Sequence, residues 1–504
     1  MNEVGGRDTL TRKAARGMTW LGVSEIVGMV FRLAALVILA RLLSPADFGI
    51  VAIAAIFTDV VLLNGDLGFA EAIIQRKEVT ASHLSTTFWA GLALGAVSWA
   101  VIAAISPLAA RFFKNDLVGP VLAVSALVLV IAPLRIVHGT LLRKQLEFFK
   151  LAISEIGQGI CYFAVSASLA YAGYGVWSLV IGNLASQITL VILRWVVCRW
   201  RPSFTVSLRS LKDLWSFGIN ITGTRLTQIV GQKLDYFITG KFLSLTALGF
   251  YNLGGKVLTP LVSGAWNVVG RVAFPAFSIV QDEDERVRRG FVKSLSYLSL
   301  IVLPLFAGIA VVAPELITVL FGPKWEMAIL PTRILCVMAA TTSISVMCAP
   351  VFRSKGRPDI EFRLELARVA VLVPSLILGA RFGITGVAVA VSGTAVVIRS
   401  AQQVFVNRLI HLKTRDYLIA LLPASFGSAV MALGVLGFRY AMTTLINLPD
   451  IGLLIGTILL GSAIYLLTLK LARAKALDEM IVLAVGTIAP YARSVAAVVR
   501  SVWR

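Results

Sequence analysis

The chain has 504 residues, 58% of them hydrophobic and only 14% charged, with a formal net charge of +21 at pH 7. That is more apolar surface than a water-soluble fold can bury, so soluble classes are excluded and a polytopic membrane protein is expected. The basic residues sit in short clusters between apolar runs, which argues against a nucleic-acid partner, and the ten-residue alternation of an outer-membrane barrel is missing.

Crossing about 30 Å of hydrocarbon takes roughly 20 mostly apolar residues whose backbone polar groups are satisfied within the segment, so helices are predicted. They fall near 17 to 40, 48 to 64, 85 to 106, 118 to 138, 152 to 171, 175 to 197, 215 to 240, 248 to 278, 291 to 313, 328 to 352, 361 to 380, 384 to 407, 417 to 438 and 452 to 471, about fourteen in all. The first run carries Glu25 and Arg32 and lacks a small-x-small cleavage site after it, so it is expected to remain as the first span. Turn residues mark several corners, among them Ser44-Pro45, Gly173-Tyr174-Gly175, Gly322-Pro323 and Gly356-Arg357-Pro358.

ARLLSPADFGIVA from Ala40 lies over GKFLSLTALGFYN from Gly240, matching Leu43 with Leu243, Ser44 with Ser244 and Gly49 with Gly249. This offset predicts an all-α protein of two six-helix lobes, 1–200 and 201–415, related as parallel repeats. Two further transmembrane helices, 416–472, and a cytoplasmic amphipathic tail, 473–504, would follow. Counting Lys and Arg on alternate sides gives roughly 31 against about 7, which puts both termini in the cytoplasm.

An ionisable side chain at the centre of a span costs on the order of 2.5 to 3.5 kcal/mol and needs a partner or a wet cavity. Glu25 and Arg32, two turns apart, share a face of the first span with Gly28 between them. The second span contributes Asp59, with Asp66 at its cytoplasmic exit; the seventh contributes Arg225, Lys233 and Asp235; the eighth contributes Lys256, Asn267 and Arg271 within roughly 60° of one another. By the repeat offset Glu25 falls opposite Arg225. A cavity lined by these groups, basic on balance, attracts anions. The alternative is that Glu25, Arg32, Asp59 and Arg225 only pair with one another. Arg135, near a cytoplasmic end, can snorkel, Glu365 with Arg368 can satisfy itself at i, i+3, and Glu155 is a weaker candidate.

No GxxxxGK[ST] is present, His83, His138 and His411 are scattered, and the four cysteines form no CxxC pair and read as apolar fillers. No metal, cofactor or catalytic constellation is expected from these residues.

ARLLSPADFG, DLGFAEAIIQRKE, FPAFSIVQDEDERVRRGF and LPLFAGIAVVAPELITVLFGPKW, occurring in that order, resemble the polysaccharide transporter family. Within the multidrug/oligosaccharidyl-lipid/polysaccharide exporter superfamily they look most like the Wzx-type branch for colanic acid, exopolysaccharide or O-antigen units. The resemblance implies a non-enzymatic flippase of the inner membrane. It would move a polyprenyl-pyrophosphate-linked oligosaccharide outward by alternating access, with coupling to H+ or Na+ and with a polysaccharide polymerase and chain-length regulator as partners. By position, Arg32, Arg225, Lys256 and Arg271 would contact the anionic headgroup, and Glu25, Asp59 and Asp235 would gate or couple ions. Rival readings are a cation-coupled multidrug antiporter of the same superfamily, an intramembrane glycosyltransferase or polysaccharide polymerase, and a lipid II flippase.

Overall fold

The computed structural model describes residues 3–62, 79–205, 231–446 and 449–472, together with Ile73, Ser207, Leu477 and Glu479. For 3–19, 21, 23, 265–272, 274–276 and 445–446 it describes the backbone alone. Every regular element among these residues is helical. The first helices are α1 (Glu3–Leu42), α2 (Pro45–Leu62), α3 (Ala81–Phe113), α4 (Val118–Ser125, Val128–Ile131 and Pro133–Lys144), α5 (Phe148–Tyr171) and α6 (Val176–Val197). Then come α7 (231–242), α8 (Leu245–Ile279), α9 (Asp284–Phe321) and α10 (Pro323–Ala328, Ile329–Ile344, Ser345–Met347 and Cys348–Ser354). The last are α11 (Pro358–Ala380), α12 (Gly383–Leu409), α13 (Thr414–Ala441) and α14 (Asp450–Leu471).

Ten spans among the described residues are long and apolar enough to cross a membrane. Their surfaces invert the rule for water: Val97, Val101 and Leu108 of α3 stand exposed, because lipid solvates them. The chain is therefore a multi-pass, all-helical membrane protein.

Corners are set by local chemistry. Ser44 closes α1 and opens α2: its N–H and Oγ–H donate to Asp47 Oδ2 at 2.9 and 2.7 Å, and Asp47 N–H donates back to Ser44 Oγ at 3.3 Å. Pro45 takes the first helical position, where no N–H is needed. At α8 the matching Ser244 accepts the Ala247 N–H at 3.0 Å. Between α5 and α6 the chain reverses through Gly173 and Gly175, whose φ of +82° and +53° favour glycine.

Two helices are interrupted along their length. In α4 the break ends at Pro133, and the carbonyl of Ala123 accepts the Trp99 indole N–H of α3 at 3.2 Å. In α10 a 3-10 turn, Ser345–Met347, interrupts the helix between Ile344 and Cys348.

The helices gather into two compact units, Met1–Asn252 and Leu253–Arg504. In the first, α1 packs on α5, α5 on α6, and α4 on α2, α3 and α6. Its core joins Ile53 of α2, Phe113 of α3, Val121 and Leu122 of α4, and Val180 of α6. In the second, α9 packs on α10, α13 and α14, α10 on α12, and α11 on α12.

Candidate functional site

The Glu25 and Arg32 side chains project from α1 as the seven-residue spacing predicts. Arg32 folds back toward the helix N-terminus across Gly28, where an added Cβ would stand 3.1 Å from its Nη1. Its Nη2 approaches Glu25 Oε1 to 3.5 Å, and both side chains remain exposed, at 58% and 72%.

Three other helices of the first unit converge on this pair. Arg135 and Arg143 come from α4, Glu155 and Gln158 from α5, and Arg194 from α6, and together they line a cavity of about 260 Å³. Arg194 is only 6% exposed, and Gly139 of α4 makes room for it: a Cβ there would lie 2.6 Å from Nη1. Its Nη2 stands 3.8 Å from Glu155 Oε1.

Four guanidinium groups face two carboxylates, a formal excess of two positive charges in the cavity. The Nε atoms of Arg135 and Arg194 are buried without a hydrogen-bond partner. A buried donor left unmet costs about 1–3 kcal/mol, so an oxyanion that meets these groups recovers that cost. The planar fork of arginine suits phosphate oxygens, and a low-dielectric wall strengthens each contact. The arrangement suits the holding of an anion.

The other expected site residues are distributed as follows. Asp59 of α2 receives Lys233 Nζ of α7 at 2.8 Å. Asp235 of α7 is buried and accepts the Tyr251 hydroxyl at 2.6 Å and the Tyr236 N–H at 3.0 Å, the two rings meeting edge to face at 5.5 Å. Lys256 is half-buried on α8. Neither carboxylate nor Lys256 lines the arginine cavity. Arg225 and Asp66 lie outside the described residues, and Asn267 and Arg271 belong to the part of α8 described by backbone alone. Glu365 and Arg368 of α11 form the expected i, i+3 pair, with Arg368 Nε and Nη2 at 2.9 and 2.6 Å from Glu365 Oε1.

Sequence reasoning singled out neither Arg143 nor Arg194 as a site residue. An arginine three residues from a helix end reads as a snorkelling side chain. Burial of Arg194 against Gly139 is a tertiary fact, and the available signal was the glycine five residues before the α4 terminus.

The fold and this cavity define a multi-pass membrane protein of transporter architecture. The chain belongs to the Polysaccharide biosynthesis protein family, whose model matches residues 38–330. It is 29% identical over 451 residues to the teichuronic acid biosynthesis protein TuaB of Bacillus subtilis strain 168, covering 86% of this chain and 90% of that protein. It is 26% identical over 377 residues to the lipopolysaccharide biosynthesis protein WzxC of Escherichia coli K12, covering 74% and 76%. Its fold is similar to the lipid II flippase MurJ in an inward closed conformation, with a TM-score of 0.73 at 13% identity, covering 92% of this chain and all of that one.

Proposed function

We propose that this protein is a non-enzymatic flippase that carries a polyprenyl-diphosphate-linked oligosaccharide unit of a cell-surface polysaccharide from the cytoplasmic to the outer leaflet. The observation that carries the reading is the excess of arginine over carboxylate in a cavity inside the first unit, with guanidinium Nε donors buried and unmet. A diphosphate diester supplies the acceptors, while the polyprenyl tail stays in lipid. The reading also draws on the relatives, named for teichuronic acid and lipopolysaccharide biosynthesis, and on a structural neighbour titled a lipid II flippase. A multidrug antiporter for cationic compounds would want the opposite cavity charge.

On this reading Arg32 belongs with Arg135, Arg143 and Arg194 as headgroup contacts, and Arg225, Lys256 and Arg271 would extend the basic path. Glu25, Asp59 and Asp235 are the carboxylates available for H+ or Na+ coupling, which sets direction through the differential affinity of two states. Fourteen spans would follow if α1, α7, α8 and α11 also cross. Such a protein would lie in the inner membrane with both termini cytoplasmic, its lobes 1–200 and 201–415 rocking as repeats, 416–472 appended and 473–504 on the inner surface. A polymerase and a chain-length regulator would take over the product.

The test is deletion followed by complementation with wild type, Arg32→Ala, Arg194→Ala, Arg225→Ala or Arg271→Ala, reading surface polysaccharide and the leaflet of lipid-linked intermediates. Intermediates held on the cytoplasmic side, with stably expressed arginine variants unable to restore export, are expected. A deletion that leaves polysaccharide unchanged and sensitises cells to cationic drugs sinks the reading.

A further inference from the structure

Glu155 is the member of the basic cavity whose presence needs a reason, because it subtracts charge from an anion site. A carboxylate at the same helix position in the second unit offers a comparison. Glu365 is the eighth residue of α11, as Glu155 is the eighth of α5. Arg368, three residues further on, closes on Glu365 with two contacts of 2.9 and 2.6 Å. Three residues after Glu155 stands Gln158, which carries no charge.

Glu155 is thus left with Arg194, at 3.8 Å, longer than the roughly 2.7–2.9 Å of a closed charge-assisted hydrogen bond. The two partners are not equally free. Arg194 is 6% exposed and wedged against Gly139, whereas the Glu155 side chain is 33% exposed and opens on the cavity. Any adjustment falls to the carboxylate.

We infer that Glu155 is a positioning residue that serves as a resident counter-ion: it neutralises Arg194 in the empty cavity and yields it to the entering diphosphate of the carrier lipid. This rests on the flippase reading above. A diphosphate diester carries two negative charges, which balance the cavity's excess of two with Glu155 still present. Without Glu155 the excess becomes three, and the dianion is held more tightly than a carrier should hold it, since transport needs entry and release alike. When the headgroup leaves, the carboxylate returns to Arg194 and replaces the lost interaction.

The full chain, reconstituted in liposomes, is tested with undecaprenyl diphosphate bearing one N-acetylglucosamine, measuring equilibrium binding and the rate of transfer between leaflets. Glu155→Gln is expected to bind the probe about threefold to tenfold more tightly and to transfer it slower by a similar factor, the size of one partly buried charge contact. Glu155→Asp, whose carboxylate is drawn back by one methylene, should fall between Gln and wild type in both quantities. In an Arg194→Gln background the Glu155→Gln change should tighten binding by much less than in wild type, because only the general charge balance and not the Arg194 contact is then altered. Weaker binding together with slower transfer in both Glu155 variants, the pattern of a buttress, overturns the inference, and so do unchanged values. Wild type that neither binds nor transfers the probe overturns the flippase reading itself and this inference with it.

Discussion

Gly49 of α2 sits on the carbonyl of Leu245, and Gly249 of α8 sits on the carbonyl of Pro45, so one contact is made twice with the partners exchanged. In each case an added Cβ would lie 1.8 Å from the carbonyl oxygen. The sequence offset pairs the same residues: Gly49 with Gly249 and Pro45 with Leu245, 200 apart. The amide of Asn252 seals the crossing by donating to the Phe48 carbonyl at 3.2 Å. Isologous contact of this kind is what two-fold related segments produce.

Replacing either glycine by alanine forces the helices apart at a point where both obstacles are backbone. Gly49→Ala and Gly249→Ala should each cost about 1–3 kcal/mol, the range for overpacking, and lower the melting temperature of the purified protein. Gly264→Ala on the same α8 meets nothing within 4 Å and should leave stability unchanged or raise it by up to about 1 kcal/mol. Equal melting temperatures for Gly49→Ala and Gly264→Ala would mean that the crossing is not tight.

The Asp59–Lys233 pair separates a structural from a coupling role. Asp59→Asn or Lys233→Met leaves one charge without its partner, a loss of about 1 kcal/mol for a partly exposed pair. The exchange Asp59→Lys with Lys233→Asp restores opposite charges at the same 2.8 Å contact and should recover most of the melting temperature. With Asp59 as an ion-coupling carboxylate, gradient-driven transport by the exchanged protein should stay below a tenth of wild type. Full recovery of transport would reduce the pair to a lock.

Lysines at the ends of the two broken helices do matching work. Lys144 of α4 donates to the Ile73 carbonyl at 3.2 Å, and Lys355, just past α10, donates to the Gln281 carbonyl and to Asp284 Oδ1 at 2.5 Å. Lys355 pins the turn that precedes α9. Lys355→Met removes hydrogen bonds to a charged group, each worth about 1.5–3 kcal/mol, so local opening around Gln281 should rise about tenfold or more. Trypsin cleavage after Arg286, timed under native conditions, reads that opening, with Lys413→Met as a control. Equal cleavage rates would show the loop is held by other contacts.

Much of this architecture is legible in the chain, and the reasons differ by residue. Ser44, Pro45 and Asp47 are a local cap, readable because their contacts span three residues. Glu25 and Arg32 are readable because helical periodicity alone puts them on one face. Arg194 and Glu155 were not legible as a site, because what brings them together is the packing of α4, α5 and α6, and no spacing within one helix reports it. Asp235 was legible as out of place, but its partner Tyr251 is sixteen residues away across a turn, beyond any helical period. The two-fold crossing was visible as a short repeated string, although the string cannot say that the copies touch.

An ion pair of the second unit with a buried carboxylate gives the last prediction. Arg439 Nε, in the final turn of α13, lies 2.5 Å from Glu315 Oε1 of α9, and Glu315 is buried with Oε2 lacking a hydrogen-bond partner. Fifteen residues earlier on α9, the Leu300 carbonyl accepts from the Tyr465 hydroxyl of α14 at 2.8 Å within an apolar cluster, so both C-terminal helices are tied to α9 by polar contacts. A buried ion pair contributes little against an apolar replacement, but breaking one half leaves an uncompensated charge at about 3–5 kcal/mol. Arg439→Met should therefore lower the melting temperature far more than the double change Glu315→Gln with Arg439→Met. Glu315→Gln alone should be milder for α9 and leave Arg439, which is 28% exposed, to find water or headgroups. The order Arg439→Met, Glu315→Gln, double variant, from least to most stable, is the expected melting series. A double variant as unstable as Arg439→Met would show that the attachment of α13 to α9 depends on the pair itself and not on the cost of leaving Glu315 alone.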